Sequence, residues 1–281
     1  MNYIKEYLST GTGTEGSLLI PKKIYATMIA EVEKVLIPRS EAAIYFGPGE
    51  ISGSSVDVNL ENVNTLDVRE IAEGAELPLD NQEYSSFNLK PVKYGVTVRI
   101  TKELQEDAQW NLLERNVMMA GKRLAENENS LVISDALDNA TNTVSGGAAG
   151  TIANITRGMQ YLEDADYTAT SLFVGNEFLN DLRNIDTFVE ADKVGNRDML
   201  ARGFLGVIFG MNVMRVSTNA GMTTTTAYIT DKAHAYVIAE KRTPTVENFN
   251  LPNFDMSAAA ITQRIKVRQL RADAICKITT S

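Results

Sequence analysis

The sequence predicts an α+β fold, in which a strand-rich first part, one long helix and a mixed second half follow each other along 281 residues. Apolar and polar residues alternate over 56–61 and again over 92–100, which is the period of half-exposed strands. From 102 to about 138 the residues favour helix, and no proline occurs between 92 and 243. Short helix and strand patterns then alternate to the C-terminus.

Composition narrows the classes of function. The chain carries 27 basic and 36 acidic residues, a net charge of −9. A dedicated nucleic-acid binder usually carries a basic surplus, so strong binding of nucleic acid through net charge is excluded. A single histidine and a single cysteine exclude an intrachain disulfide and zinc sites built from Cys and His. We expect His234 to be a surface or structural residue in a turn and Cys276 to be a buried, unreactive thiol.

The N-terminal residues 1–20 predict an extended arm, because they are rich in turn-forming residues and carry little to bury. Their three glycines match the spacing of a dinucleotide-binding loop, but neither a strand before them nor a helix after them supports it, so no cofactor is assigned. A short amphipathic helix is predicted over 24–37, and Pro38 ends it. No stretch approaches the ~18 apolar residues of a membrane span, so no membrane partner is expected.

The two alternating segments, 56–60 and 92–100, predict a long hairpin. Between them, residues 61–83 contain seven acidic residues and one basic residue, a net charge of −6. A two-stranded projection is only marginally stable alone. We therefore expect this hairpin to lie on another surface, and we expect its apolar face to be one that a single subunit cannot bury.

A long helix is predicted after Thr101, which is a good N-cap residue. Apolar side chains recur every seven residues on one face, at Trp110, Val117, Leu124 and Leu131. A helix of about 36 residues would span about 54 Å, so we expect a break near Gly121 or Asn127. The stripe could form a coiled-coil seam, but packing onto a sheet of the same chain is the preferred interpretation.

The second half predicts a mixed arrangement of helices and strands. Helices are expected over 155–164 and 176–184, and strands over 171–174, 210–216, 227–230, 235–239, 245–249, 261–270 and 274–278. The strands at 227–230 and 235–239 flank a turn, and those at 245–249 and 261–270 form a hairpin. The acids of 163–166 could hold a cation, but an ordinary helix end explains them better, so no catalytic or metal residue is assigned.

Several local motifs follow each other along the chain in a characteristic order. They are GTEGSLLIP at 13–21, AEG at 72–74 before ITKEL at 100–104, LG at 205–206 before GMNV at 210–213, and the closing segments 228–242 and 268–274. Together with the arm, charged hairpin, long helix and mixed half, they resemble the major capsid protein family of tailed phages and related archaeal viruses, which has the Hong Kong 97 capsid fold.

This resemblance implies a division of the chain into named parts. They are an N-terminal arm and start of the peripheral domain (1–47), an extended β-hairpin loop (48–99), a peripheral domain with the spine helix (100–150), an axial domain (151–243), a peripheral-domain hairpin (244–270) and a return strand to the axial domain (271–281). The resemblance also implies a self-assembling icosahedral shell around viral double-stranded DNA, with no catalysis and no cofactor. The expected location is the virion capsid, after synthesis in the host cytoplasm.

The expected partners are copies of the chain itself, in hexamers and pentamers, with separate scaffolding, portal or decoration proteins as further candidates. The DNA would be enclosed without sequence-specific binding. Many family members begin with a helical scaffolding segment, whereas here the arm follows Met1 almost at once. Either a separate protein supplies scaffolding, or none is needed, or the chain is truncated. Two alternatives stay open: an encapsulin-type compartment that packages a cargo enzyme, and a soluble α/β enzyme that uses carboxylates.

The acidic segment 61–83 also predicts a contact between subunits. Its excess acids repel one another unless basic groups face them, and basic residues lie in the arm region and on the long helix, at Lys22, Lys23, Arg39, Lys102, Arg115, Lys122 and Arg123. We expect the loop of one subunit to rest on this basic surface of its neighbour. The candidate contact residues are Arg69, Glu70, Glu73, Glu76, Lys22, Lys23, Arg115 and Lys122.

Overall fold

The computed structural model describes Met28, Ile37 and residues 39–280, apart from 62–65, 67, 72, 75, 77–78, 108–111, 148 and 185–203. The predicted arm and the body of the predicted helix at 24–37 lie outside the described residues. The strands are β1 (Ile44–Phe46), β2 (Val56–Glu61), β3 (Tyr84–Leu89), β4 (Val92–Thr101), β5 (Asn142–Ser145), β6 (Ser171–Val174), β7 (Phe204–Ile208), β8 (Met211–Arg215), β9 (Thr226–Thr230), β10 (Tyr236–Leu251), β11 (Met256–Gln269) and β12 (Ile275–Thr279). The α-helices are α1 (Lys102–Asp107), α2 (Leu112–Asp135), α3 (Ile152–Glu163) and α4 (Asn176–Arg183).

A six-stranded sheet in the order β5-β12-β9-β6-β8-β7 forms the second half of the molecule. Its central strand β6 is buried along its whole length, and α3 and α4 pack with it in one apolar cluster. In α3, Gly158 lies so close to the sheet that a Cβ atom there would meet Ile229 Cδ1 at 2.8 Å. Cys276 is fully buried in the same cluster, and burial raises its pKa to about 12. The predicted helices and strands of this half are confirmed, as is the burial of the thiol.

A four-stranded sheet in the order β1-β10-β11-β4 forms the other half. Its centre is the long antiparallel hairpin β10–β11, so the hairpin predicted from 245–249 and 261–270 is confirmed and is longer than expected. Helix α2 packs its apolar stripe, including Val117 and Leu124, against Ala259 and Ile261 of β11. Packing onto a sheet of the same chain is therefore confirmed.

Helix α2 runs without a break from 112 to 135, so the expected break near Gly121 or Asn127 is wrong. Its length is about 36 Å at 1.5 Å per residue, and the neighbouring strands β11 and β4 give it a long surface to lie on. The N-cap prediction holds for the shorter helix α1, in which the backbone N–H of Leu104 donates to Thr101 Oγ1 at 3.3 Å. Trp110 lies outside the described residues.

The predicted pairing of 56–60 with 92–100 is wrong. Strand β2 pairs instead with β3, with Val56 opposite Leu89, and β4 pairs with β11, with Val96 opposite Ile261. The physical reason is that β4 has an apolar face that needs a covered sheet, and α2 supplies that cover. The shorter strand β3, YSSFNL, lacks the alternation that would have revealed it.

The root of the β2–β3 hairpin lies on its own chain. Val58 and Leu89 are buried in one cluster with Val237 and Ala239 of β10. The guanidinium carbon of Arg268 lies 4.4 Å from the ring centre of Phe87, a cation–π contact that holds the same end. The expectation that the hairpin cannot bury its apolar face within one subunit is therefore wrong for the root.

The strands predicted at 227–230 and 235–239 exist, but they belong to different sheets. The turn between them carries His234, whose side chain is 50% exposed and whose Nδ1 lies 2.7 Å from Asp231 Oδ2.

The expected domain limits do not coincide with the ends of strands. Strand β5 joins the six-stranded sheet before residue 151, and β10 runs through 243–244. The limits themselves stay predictions.

Candidate assembly surfaces

A buried ionic cluster joins β1, α2, β10 and β11. Arg39 donates to Glu128 (Nε to Oε1, 3.1 Å) and to Glu240 (Nη1 to Oε2, 2.7 Å), and both carboxylates are almost fully buried. Gln263 Nε2 donates to Glu128 Oε2 at 2.7 Å and to Glu240 Oε1 at 3.2 Å, and the Tyr45 hydroxyl donates to Glu240. The cluster therefore fixes the segment before β1 against the long helix and both central strands.

The cluster shifts the titration of its members. Burial alone would lower the pKa of Arg39, but hydrogen bonds and the charges of Glu128 and Glu240 outweigh it, so the pKa is raised. Burial and the hydrogen bond to Glu240 raise the pKa of Tyr45 to about 12. Arg39 is thus engaged inside its own subunit, and we do not propose it as part of a basic contact surface.

Three further hydrogen bonds tie the six-stranded sheet to the segments after α2 and before β1. Asp138, just after α2, accepts from Tyr228 Oη at 2.6 Å and from Lys277 Nζ at 2.7 Å, both on the six-stranded sheet. Burial opposes ionisation of Asp138, but these two donors outweigh it and lower its pKa. Buried Ser171 of β6 donates to buried Glu41, next to β1. Because these contacts use the polar groups at the centre of the molecule, we expect partners to bind at its projections instead.

The segment beyond the hairpin root is the most exposed apolar surface described. Val68 is 98% exposed and Leu79 is 95% exposed. The three predicted contact acids on this segment, Glu70, Glu73 and Glu76, are all exposed as well. The predicted contact residue Arg69 lies 3.8 Å from Asp80 and links the two limbs of the segment. Apolar and acidic side chains are thus exposed to solvent on the same segment.

Two other projections carry exposed aromatic side chains. At the two-residue turn between β7 and β8, Phe209 has φ +50° and is 52% exposed, and Gly210 has φ +82°. Such a turn needs positive φ at both positions, which a phenylalanine adopts only at a cost. At the turn between β10 and β11, Phe254 is 67% exposed. Three separate projections therefore present apolar contacts outward.

The predicted basic contact residues fall into different environments. Arg115 and Lys122 are exposed on α2, whereas Lys22 and Lys23 lie outside the described residues. Lys102 pairs with Asp255, and Arg123 pairs with Glu126 at 2.8 Å, so both already form ion pairs within their own subunit.

The β2–β3 root and helix α2 contact different faces of strand β10, because strand residues alternate between faces. Val237 and Ala239 contact the root, and Ile238 belongs to the cluster under α2. The root and α2 thus lie on opposite faces of the four-stranded sheet.

The described residues contain no group of three or more His, Cys, Asp or Glu side chains placed to hold a metal ion. None of the described helices has both the length and the hydrophobicity needed to span a bilayer.

Comparison with known proteins decides what this arrangement is. A family model described as phage capsid protein matches residues 84–278, which is more than half of the chain. The chain belongs to this phage capsid protein family. It is a structural protein of a capsid shell, and the encapsulin alternative is not favoured because the matching family is that of phage capsids. No curated protein matches the sequence.

Solved structures support the same fold. A chain from Microbacterium phage Oxtober96 matches with a TM-score of 0.64 at 17% identity, covering 84% of this chain and 89% of that one. A chain from the mature capsid of bacteriophage PhiM1 matches with a TM-score of 0.64 at 12% identity, covering 88% and 87%. A virus-like particle from Pyrococcus furiosus matches with a TM-score of 0.57 at 13% identity, covering 92% and 98%. The predicted α+β capsid fold of the Hong Kong 97 type is confirmed.

Proposed function

We propose that this phage capsid protein assembles, as hexamers and pentamers, into a closed icosahedral shell that encloses double-stranded DNA. The observation that carries the proposal is the set of three projections whose exposed apolar side chains include Val68, Leu79, Phe209 and Phe254. A monomer gains nothing from exposing them, whereas symmetric contacts repeated around a shell would bury them. The net charge of −9 favours enclosure of DNA without tight binding.

The acidic segment 61–83 is the part of the chain that we assign to the neighbouring subunit. Its Glu70, Glu73 and Glu76 side chains are exposed in its own chain, and the hairpin root lies on the face of the four-stranded sheet opposite Arg115 and Lys122. A basic surface on a second copy would relieve the repulsion among these acids. Arg115, Lys122, Lys22 and Lys23 remain the proposed basic contacts, whereas Arg39, Lys102 and Arg123 are withdrawn because each is engaged in its own subunit.

Further partners follow from the shell itself. A separate scaffolding protein, a portal and decoration proteins are proposed as partners, and the protein would be made in the host cytoplasm before it enters the virion. The role is structural, and we assign no reaction to it.

The test is assembly of the purified chain, alone and co-expressed with neighbouring genes, followed by sedimentation and electron microscopy. Round particles tens of nanometres wide are expected, on the order of shells built from domains of this size. A matched variant is Phe209→Asn, because asparagine tolerates positive φ while the exposed ring is lost. That variant should melt no lower than the unmodified chain and should form fewer shells. A chain that stays monomeric under every condition contradicts the proposal.

A further inference from the structure

Two buried hydroxyl groups lie at the junction of the two sheets without a hydrogen-bond partner among the described residues. They are Thr230 Oγ1, at the end of β9, and Tyr236 Oη, at the start of β10. Both residues are fully buried. A buried polar atom without a partner costs free energy, so a native protein seldom leaves one unsatisfied. The pair therefore indicates a partner that is not a described side chain.

A buried carboxylate lies on the same side of the six-stranded sheet. Ser171 of β6 is directly opposite Thr230 of β9, and residues paired in this way direct their side chains to one face of a sheet. From that face the Ser171 hydroxyl donates to Glu41, just before β1. The Tyr236 hydroxyl is near as well, because burial first, and then the charge of Glu41, raise the pKa of this phenol.

Apolar side chains close this region from solvent. Phe173 and Tyr228 form the next cross-strand pair on the same face, and both are buried in one cluster with Tyr236 and Ala42. The backbone N–H of Ala43 donates to the Tyr236 carbonyl at 2.8 Å, which fixes the segment before β1 against β10. The polar groups are thus enclosed together, where an unmade hydrogen bond is costly.

The carboxylate has unused capacity to accept hydrogen bonds. Among the described residues, the Glu41 side chain is hydrogen-bonded by Ser171 alone. An ionised carboxylate offers two oxygens with about four acceptor positions. Neither Thr230 nor Tyr236 donates to it directly. Neighbouring donors and acceptors that do not touch are the groups that a buried water molecule joins.

We infer that this site binds one buried water molecule, which accepts from Thr230 and Tyr236 and donates to Glu41. A buried water makes about three hydrogen bonds to groups that are otherwise unsatisfied, and these three residues supply them. The water joins β9, β10 and the segment before β1, and so fixes the two sheets to each other. The inference does not depend on the proposed shell, because the site lies inside one chain.

A monovalent cation fits these observations less well. It would bind the carboxylate, but a cation accepts no hydrogen bond, so the hydroxyl hydrogens of Thr230 and Tyr236 would stay unsatisfied. A direct hydrogen bond from Tyr236 to Glu41 would still leave Thr230 without a partner. Water serves both hydroxyls because it accepts and donates at the same time.

The first experiment removes one hydroxyl at a time from the full chain, as Tyr236→Phe and as Thr230→Val, and measures the melting temperature. Loss of an unsatisfied buried hydroxyl should raise this temperature, whereas loss of a hydroxyl that binds water should lower it. We expect each variant to melt about 2–4 °C lower. The controls Tyr84→Phe and Thr97→Val change exposed hydroxyls and should have no effect. A higher melting temperature for either buried variant would overturn the inference.

The double variant tests whether the two hydroxyls serve the same water. Once Tyr236→Phe has weakened the binding of the water, Thr230→Val has less left to remove. The double variant should therefore lose less than the sum of the two single losses. Losses that simply add would mean that the hydroxyls have separate partners, and the single bridging water would be wrong.

Direct observation completes the test. A density map of the folded chain that resolves ordered water should show an isolated peak about 2.7–3.0 Å from Thr230 Oγ1, Tyr236 Oη and a Glu41 carboxylate oxygen. A protein side chain in that place would overturn the inference. A cation would also overturn it, and would reveal itself by a melting temperature that differs among lithium, sodium and potassium chloride at equal concentration and no longer differs in Glu41→Gln. A chain that melts as expected but never assembles would contradict the proposed shell alone.

Discussion

Arg39 is a single residue that joins elements far apart in the sequence. Its guanidinium serves two carboxylates that come from different elements, Glu128 of α2 and Glu240 of β10. Glu240 is fully buried, and Arg39 is only 26% exposed. Loss of the arginine would leave two buried carboxylates with only Gln263 and Tyr45 as donors, and an uncompensated buried charge is costly.

Replacing Arg39 by Met should lower the free energy of unfolding by about 3 kcal/mol, the low end for breaking a buried ion pair, because the guanidinium is partly exposed. Urea unfolding followed by circular dichroism measures this change. Adding Glu240→Gln to Arg39→Met should recover part of the loss, because one unpaired charge is then removed. The control is Lys102→Gln, whose partner Asp255 is exposed, and it should leave stability nearly unchanged. Equal losses for Arg39→Met and Lys102→Gln would contradict the account.

The sequence predicts the apolar residues of this region better than the polar ones. The seven-residue spacing alone predicts that Val117 and Leu124 belong to the buried stripe, and both are buried. Glu128 was missed, although it follows Leu124 by four residues and so lies on the same helix face. That position was the available signal. Its partners lie 89 and 135 positions away, at Arg39 and Gln263, and no local pattern reveals such distances.

Among the elements, the β2–β3 hairpin divides into two parts with different roles. The root, with Val58 and Leu89, belongs to the core of its own chain. The segment 62–83 closes the hairpin between Glu61 and Tyr84, and its side chains Val68, Leu79, Glu70, Glu73 and Glu76 are exposed. Changes in the root should therefore affect folding, whereas changes in 62–83 should affect assembly.

Replacing 62–83 by a short Gly-Ser turn tests this division. Shortening a loop changes its closure entropy by only about 0.6 kcal/mol per halving of length, so a cooperative thermal transition should remain while shell formation is lost. The matched change in the root is Leu89→Ala, which removes a fully buried side chain and should cost about 2–5 kcal/mol. Calorimetry and sedimentation measure the two properties. Loss of the cooperative transition in the loop replacement would place the segment in the core.

Element prediction succeeded where the pattern was local and failed where pairing was distant. The alternation over 92–100 identified β4 correctly, but its partner β11 lies more than 150 residues further along the chain. Sequence alternation cannot choose between two partners that offer the same period. The expected break in α2 is wrong for a related reason, because the helix is supported by β11 and β4, and no local rule places these two strands under it.

The whole molecule distributes its charge unevenly, and this matters for assembly. Residues 61–83 carry −6 of the net charge of −9, while the exposed bases Arg115 and Lys122 lie on α2. Contact between copies would bring such bases to the exposed acids of this segment. Charges on separate subunits act through solvent, where their attraction depends on ionic strength.

Salt should therefore weaken assembly. The Debye length falls from about 10 Å at 0.1 M to about 3 Å at 1 M, so light scattering across this range should show shells that loosen or form more slowly as salt rises. Reversal of Glu70, Glu73 and Glu76 to Lys should impair assembly more at low salt than at high salt, because the new repulsion is then least screened. If assembly of the unmodified chain improves steadily with salt, repulsion between acidic segments dominates, and their pairing with a basic neighbour is wrong.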